Sequence, residues 1–147
     1  MAHVRESVPS PRPQAEVFAY LSDFTTTAEW DPGVKDAEQL TDGPVGVGTR
    51  VRVVALFMGR AVELVYEVTE FEPPRRIVLR GENPTTLSID EIVVDPDGEG
   101  CRVSYDANLT LKGPLRLADP LLALVFRRIT DRAIGGLRKA IGAHGEG

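Results

Sequence analysis

The strongest constraint on the fold is an uninterrupted succession of strand-like segments. Six of them follow one another between residues 34 and 112 without a helix between them, and a long apolar helix closes the chain. One more strand, residues 3–8, and an amphipathic helix precede them. Because a single long helix is available to cover the sheet, the sheet must curl around that helix. We therefore predict an α+β fold in which a curved antiparallel seven-stranded sheet wraps around a long C-terminal helix, with a short N-terminal helical region.

The size and charge of the chain limit its class. At 147 residues it is long enough to bury a core of its own, and we expect one ligand-binding domain at residues 1–142 and a disordered tail at 143–147. The net charge of −5 argues against nucleic acid as a partner. The start of the chain has no signal-peptide pattern, and the longest apolar stretch, residues 121–126, is too short to span a bilayer. We expect a cytoplasmic protein without membrane insertion.

The sequence contains few cysteine and histidine residues, the usual nucleophiles, general bases and metal ligands. Cys101 is the only cysteine, so there is no internal disulfide, and this composition fits a reducing compartment. His3 and His144 lie at the two ends of the chain, so a Ser-His or Cys-His pair or a multi-histidine metal site is not expected. We predict neither a metal nor a cofactor.

The hairpin around Met58-Gly59 has the clearest register. If these residues form a two-residue turn, apolar residues pair on one face and charged residues on the other. The predicted pairs are Val51–Tyr66, Val53–Leu64 and Ala55–Val62 on the apolar face, and Arg50–Glu67 and Val54–Glu63 on the opposite face. This alternation indicates an antiparallel sheet with one buried side, which we expect to be its concave side.

The last hairpin directs one carboxylate into the interior. Pairing across its loop places Ile92 opposite Tyr105 and Asp90 opposite Ala107, so that Asp90 faces inward. A slip of one residue would turn Glu91 inward instead. A buried carboxylate is costly unless it is hydrogen-bonded or protonated, so Asp90 is the candidate functional group, with its pKa raised enough to be neutral near neutral pH. The structural alternative is that Asp90 binds a backbone amide or an arginine such as Arg80, or lies at the wet mouth of the cavity.

The closing helix begins at Asp119-Pro120, where Asp119 is a predicted N-cap. Its predicted buried stripe consists of Leu121, Leu122, Val125, Ile129, Ala133, Gly136, Leu137, Ala140 and Ile141. Gly135 and Gly136 each cost about 1 kcal/mol relative to alanine in a helix. We interpret them as a place where the helix packs closely on the sheet.

Four short segments resemble one protein family. They are residues 13–24 (PQAEVFAYLSDF), the corner 29–32 (EWDP), the strand entry 46–49 (GVGT) and residues 112–120 (KGPLRLADP). Together with the order of the elements they resemble the SRPBCC or START-like superfamily, specifically its polyketide cyclase/dehydrase-like branch. The resemblance covers residues 3–141 and implies the helix-grip fold, with a deep apolar cavity between the last helix and the sheet.

The resemblance and the strand register together imply a binding function. We expect the cavity to hold a hydrophobic or aromatic small molecule, lipid-like or polyketide-like. The candidate ligand-binding residues are Trp30, Val53, Phe57, Leu64, Tyr66, Asp90, Ile92, Tyr105, Leu121 and Val125. Trp30 is expected either as a core plug or at the rim of the cavity.

Two alternative functions use the same fold. The first is a polyketide aromatase/cyclase or dehydratase-type enzyme, in which Asp90, Tyr66 and Tyr105 would transfer protons and proximity would supply most of the rate. The second is a regulatory module that binds a partner protein. The sequence is compatible with a homodimer, and the identity of the ligand and the reaction stay open at this point.

Overall fold

The computed structural model describes residues 2–57, 59–113 and 119–142. The elements follow the predicted order, and the N-terminal helical region is divided in three. The strands are β1 (Ala2–Ser10), β2 (Val34–Gln39), β3 (Arg50–Phe57), β4 (Arg60–Glu72), β5 (Arg76–Glu82), β6 (Thr86–Asp97) and β7 (Gly100–Leu111). The helices are α1 (Gln14–Ser22), a 3₁₀ turn (Phe24–Thr26), α2 (Thr27–Trp30) and α3 (Asp119–Ile141). The predicted tail, 143–147, lies outside the described residues.

All seven strands belong to one antiparallel sheet in the order β1-β7-β6-β5-β4-β3-β2. Only β1 leaves the chain order, because it pairs with β7 and so returns the start of the chain to the last strand. The sheet curls into a half-barrel, and α3 and the N-terminal helices cover its concave face. The predicted α+β helix-grip architecture is confirmed.

Both hairpin registers are as predicted. In the first hairpin Val53 pairs with Leu64 and Arg50 with Glu67. In the second, Asp90 pairs with Ala107. Met58, half of the predicted turn, lies outside the described residues. Strict alternation identifies the register because a shift of one residue would exchange the two faces of the strand.

The hydrophobic core fills the concave side of the sheet. It joins inward strand residues with Val17, Phe18 and Leu21 of α1 and with Leu137 and Ile141 of α3. Removing this apolar surface from water contributes about 25 cal/mol per Å². The core therefore attaches both helices to the sheet and determines where the space between them lies.

Helix α3 packs closely against the end of α2 at Gly136. A Cβ atom on Gly136 would lie 1.7 Å from the backbone oxygen of Trp30, whereas a Cβ atom on Gly135 would meet nothing within 4 Å. Gly136 thus permits close packing, as predicted, but its partner is the carbonyl at the end of α2. Among the helices that are described, none combines the length and apolar character needed to cross a bilayer.

The convex face of the sheet is charged. Arg76 bonds to Glu70, Glu72 and Glu91, and its Nε donates to Oε2 of Glu91 at 2.6 Å. Such exposed ion pairs contribute little stability, typically 0 to about 1 kcal/mol each. These ion pairs matter here because they hold the Glu91 carboxylate on the convex, outer face of the sheet.

Candidate functional site

A cavity of about 380 Å³ lies between the concave face of the sheet, α3 and the N-terminal helical region. Most of its wall is apolar. The sheet and its loops contribute Val34, Val53, Ala55, Leu56, Val62, Leu64, Tyr66, Thr85, Thr86, Ser88, Asp90, Tyr105, Ala107, Leu109 and Leu111. The helices and the corner after α2 contribute Phe24, Thr27, Trp30, Asp31, Phe126, Ile129, Thr130, Ala133 and Ile134.

The structure brings together part of the predicted binding set. Trp30, Val53, Leu64, Tyr66, Asp90 and Tyr105 line the cavity. Ile92 does not, because it is completely buried in the hydrophobic core. Val125 is half-buried and is not in the wall, while the next residue, Phe126, is. The side chains of Phe57 and Leu121 lie outside the described ones.

Several wall residues were not among the predicted ligand-binding residues. Ser88 and Ala107 are two residues away from predicted inward positions, so strand alternation carried a signal for both. Phe126 and Thr130 are four residues apart on α3 and therefore share one face of the helix. Asp31 follows a short helix, where no periodicity exists, and no sequence signal identified it.

Asp90 is the inward carboxylate, and it is held by two hydroxyl groups. Its side chain is 5% exposed. Its Oδ1 accepts a hydrogen bond from the Ser88 hydroxyl at 2.8 Å, and its Oδ2 accepts one from the Tyr105 hydroxyl at 2.6 Å. Arg80, an alternative partner from the sequence, instead lies 3.5 Å from Glu82. Ser88 shares a strand face with Asp90, and Tyr105 reaches it from the neighbouring strand β7.

Burial raises the pKa of Asp90 to about 6. The hydrogen bonds from Tyr105 and Ser88 hold that pKa lower than burial alone would, and the charge of Asp31 raises it somewhat. The direction of the shift is as predicted, but the carboxyl is mostly ionised at pH 7 and not neutral. The reason is that two hydroxyl groups donate to the charged form.

The Tyr66 ring lies across Gly81 on the neighbouring strand. A Cβ atom on Gly81 would lie 2.6 Å from Cε2 of the ring, and 2.7 Å from both Cδ2 and Cζ. Tyr66 pairs with Gly81, and Gly81 in turn pairs with Ser88 on β6. The missing side chain at Gly81 therefore lets Tyr66 extend over β5 towards Ser88. Burial raises the pKa of Tyr66 far above its usual range, and the charge of Asp90 adds to this.

Trp30 closes the cavity on the side of α2. It is 6% exposed, and its ring meets the edge of the Tyr105 ring with centroids 6.1 Å apart. It also borders a surface groove lined by Arg132 and Gly136 of α3. Trp30 thus borders both the cavity and this groove.

Asp31 supplies a second carboxyl to the cavity wall. Its Oδ1 accepts a hydrogen bond from the backbone nitrogen of Gly33 at 2.8 Å. Burial raises the pKa of Asp31, and the hydrogen bond from Gly33 opposes the shift.

In the described part of the chain the cavity lining contains no lysine, arginine or histidine, and no three His, Cys, Asp or Glu side chains converge to hold a metal ion. The polar end of the cavity can accept hydrogen bonds and exchange a proton at Asp90.

Known proteins share this architecture. Residues 1–142 match the family described as polyketide cyclase/dehydrase and lipid transport. Similar solved structures include a Thermus thermophilus protein (TM-score 0.79, 23% identity, 95% of this chain and 96% of that one) and a START superfamily protein of Mycobacterium smegmatis (0.80, 14%, 96% and 97%). The ZhuI aromatase/cyclase of a Streptomyces species is also similar (0.76, 19%, 97% of both chains). At such identities these structures establish the fold alone. No curated protein matches the sequence significantly.

Proposed function

Because the chain belongs to the polyketide cyclase/dehydrase and lipid transport family, we propose that it binds a hydrophobic or aromatic small molecule, lipid-like or polyketide-like, in the cavity under α3. The observation that carries this proposal is the cavity itself. It offers about 380 Å³ with mostly apolar walls, and its polar groups gather around one hydrogen-bonded carboxylate. Small-molecule sites have this character, with about 300–1,000 Å³ of largely apolar space and a few convergent polar groups.

In this proposal the apolar walls of the cavity provide affinity, and its polar end orients the ligand. Side chains such as Leu64, Leu109 and Phe126 provide affinity, because binding removes apolar surface from water. Asp90 and Tyr105 orient the polar end of the ligand, because their hydrogen bonds have defined directions. The apolar part of the ligand would lie along α3, and its polar end would lie against β6 and β7.

Titration with the neutral naphthalene dye Prodan tests the proposal. We expect saturable binding with a blue-shifted emission, and loss of that binding in Tyr105→Arg, which places a charge in the cavity wall. Ser104→Arg is the matched control, because Ser104 is the adjacent residue on the opposite face of β7. Circular dichroism verifies that each variant is folded. Absence of saturable binding, or equal binding by both variants in the folded state, would contradict the proposal.

An aromatase/cyclase activity is the second candidate. It is favoured by the 2.6 Å hydrogen bond between Tyr105 and Asp90, whose pKa of about 6 suits a general base near neutral pH. Asp90 would take a proton from the carbon between two ketones, and the enolate would attack another ketone carbon. The resulting alkoxide would take that proton from Asp90, and the new hydroxyl group would leave as water on aromatisation. Incubation with a linear poly-β-ketone thioester, followed by mass spectrometry, tests this. Product formation by the wild type that equals that of Asp90→Asn, or that of a reaction without protein, would exclude it.

A further inference from the structure

The two hydroxyl groups that bond to Asp90 can only accept a hydrogen bond from a ligand, because each already donates its proton to the carboxylate. Ser88 and Tyr105 both donate to the Asp90 carboxylate. A hydroxyl that donates keeps its lone pairs, and an ionised carboxylate has about four acceptor sites, of which these bonds occupy two. This end of the cavity therefore has spare acceptor capacity.

Two threonine hydroxyl groups in the helical part of the wall also donate their protons within the protein. The Thr27 hydroxyl donates to the backbone oxygen of Phe24 at 2.7 Å, and the Thr130 hydroxyl donates to that of Phe126 at 2.8 Å. These two hydroxyl groups therefore offer no proton to a ligand. The indole nitrogen of Trp30 has no hydrogen-bond partner among the described residues, but it is fully buried and so does not reach the surface of the cavity.

The charges in the wall have the same sign. Asp90 and Asp31 both line the cavity, and the charge of Asp31 acts on Asp90, Tyr66 and Tyr105. Among the lining side chains that the structure describes, no cation balances them. An anionic group brought to this end would lose its hydration and meet like charge, and both effects are unfavourable.

We propose that the cavity selects apolar molecules whose polar end donates hydrogen bonds, namely an alcohol, a phenol or a protonated amine, and that it discriminates against carboxylates such as fatty acids. This inference rests on the proposed function, since it names the class of ligand for the same cavity. A donor of this kind uses the free acceptor sites of Asp90 and Tyr105 without displacing either existing bond.

Competition between ligands with one shared skeleton tests the inference. Naphthalene, 2-naphthalenemethanol, 2-(aminomethyl)naphthalene and 2-naphthoate would each displace bound Prodan at pH 7.5. We expect the alcohol and the amine to bind at least about ten-fold more tightly than naphthoate, because a hydrogen bond to a charged acceptor is worth that factor or more. Equal affinities, or tighter binding of naphthoate, would overturn the inference. If Prodan binds and naphthalene displaces it, the proposed function stands in either case, and if neither binds, both proposals fail.

Isosteric variants assign the preference to the carboxylates. Asp90→Asn removes a charge and adds an amide donor, so the ratio of alcohol affinity to naphthoate affinity should fall to about one. Asp31→Asn is a second variant that should also strengthen naphthoate binding, and its side-chain oxygen can still accept from Gly33. Glu91→Gln is the matched control, because it makes the same charge change at the next residue on the outer face. An unchanged ratio in both cavity variants, or an equal change in the control, would overturn the assignment.

Discussion

Replacing Gly81 by alanine should displace the Tyr66 ring and reshape the polar end of the cavity. The backbone at Gly81 does not need glycine for its conformation, because no positive φ angle occurs there. The effect of the substitution is therefore steric. The new Cβ atom would lie 2.6 Å from Cε2 and 2.7 Å from Cδ2 and Cζ, so the ring must lift away from β5. Phe24 packs against the same ring, with ring centroids 4.9 Å apart, so the displaced ring must also repack against Phe24.

The expected loss of stability in Gly81→Ala follows from these distances. To regain ordinary contact at 3.4 Å, the edge of the ring must move by about 0.8 Å. Overpacking of this kind costs about 1–3 kcal/mol. Alanine returns about 0.5–1 kcal/mol through the lower entropy of the unfolded chain. We expect a net loss of about 0.5–2 kcal/mol in the free energy of unfolding, which lowers the Tm by about 2–6 °C.

A double-mutant cycle with Tyr66→Leu measures the contact. Urea denaturation gives the free energy of unfolding of the wild type, of each single variant and of the double variant. Without the ring, Gly81→Ala should be neutral or stabilising, so the coupling between the two positions should reach about 1 kcal/mol. If Gly81→Ala stabilises the wild type, or has the same effect in both backgrounds, the reasoning about Tyr66 is refuted.

Two further predictions concern α3 and Asp90. Gly136→Ala should lower the free energy of unfolding by more than about 2 kcal/mol, because the backbone oxygen of Trp30 is unable to give way, while Gly135→Ala should raise it by up to about 1 kcal/mol. Thermal melts of the two variants check this, and changes of the same sign would contradict it. The raised pKa of Asp90 means that its ionisation destabilises the folded state, so its contribution to stability declines as the pH rises from about 4 to above 6. Between pH 4.5 and 7.5, Asp90→Asn should therefore gain about 2 kcal/mol relative to the wild type in urea denaturation, and a constant difference would argue against the titration.

The order of the elements along the chain and the preference for Asp90 over Glu91 as the inward carboxylate came from the sequence, because both depend on local patterns. Alternation with a period of two assigns every residue of a strand to a face, and one short turn then aligns two strands. Counting along the strand favoured an inward Asp90, and the observed pairing with Ala107 excluded the slip that would turn Glu91 inward. The similarity of short turn and corner segments identified the family. These signals need only neighbours in the chain.

The interactions that shape the site depend on contacts which no local pattern contains. Tyr66 crosses β5 only because Gly81 lies beneath its ring, and Gly136 contacts a carbonyl more than one hundred residues away. The pKa of Asp90 depended on Ser88 and Tyr105 as donors, and periodicity places those residues on the right face without showing where their hydroxyl groups point. A strand pattern determines the face of a side chain, but the distance and angle to its partners exist only after the sheet has curled and the helices have packed on it.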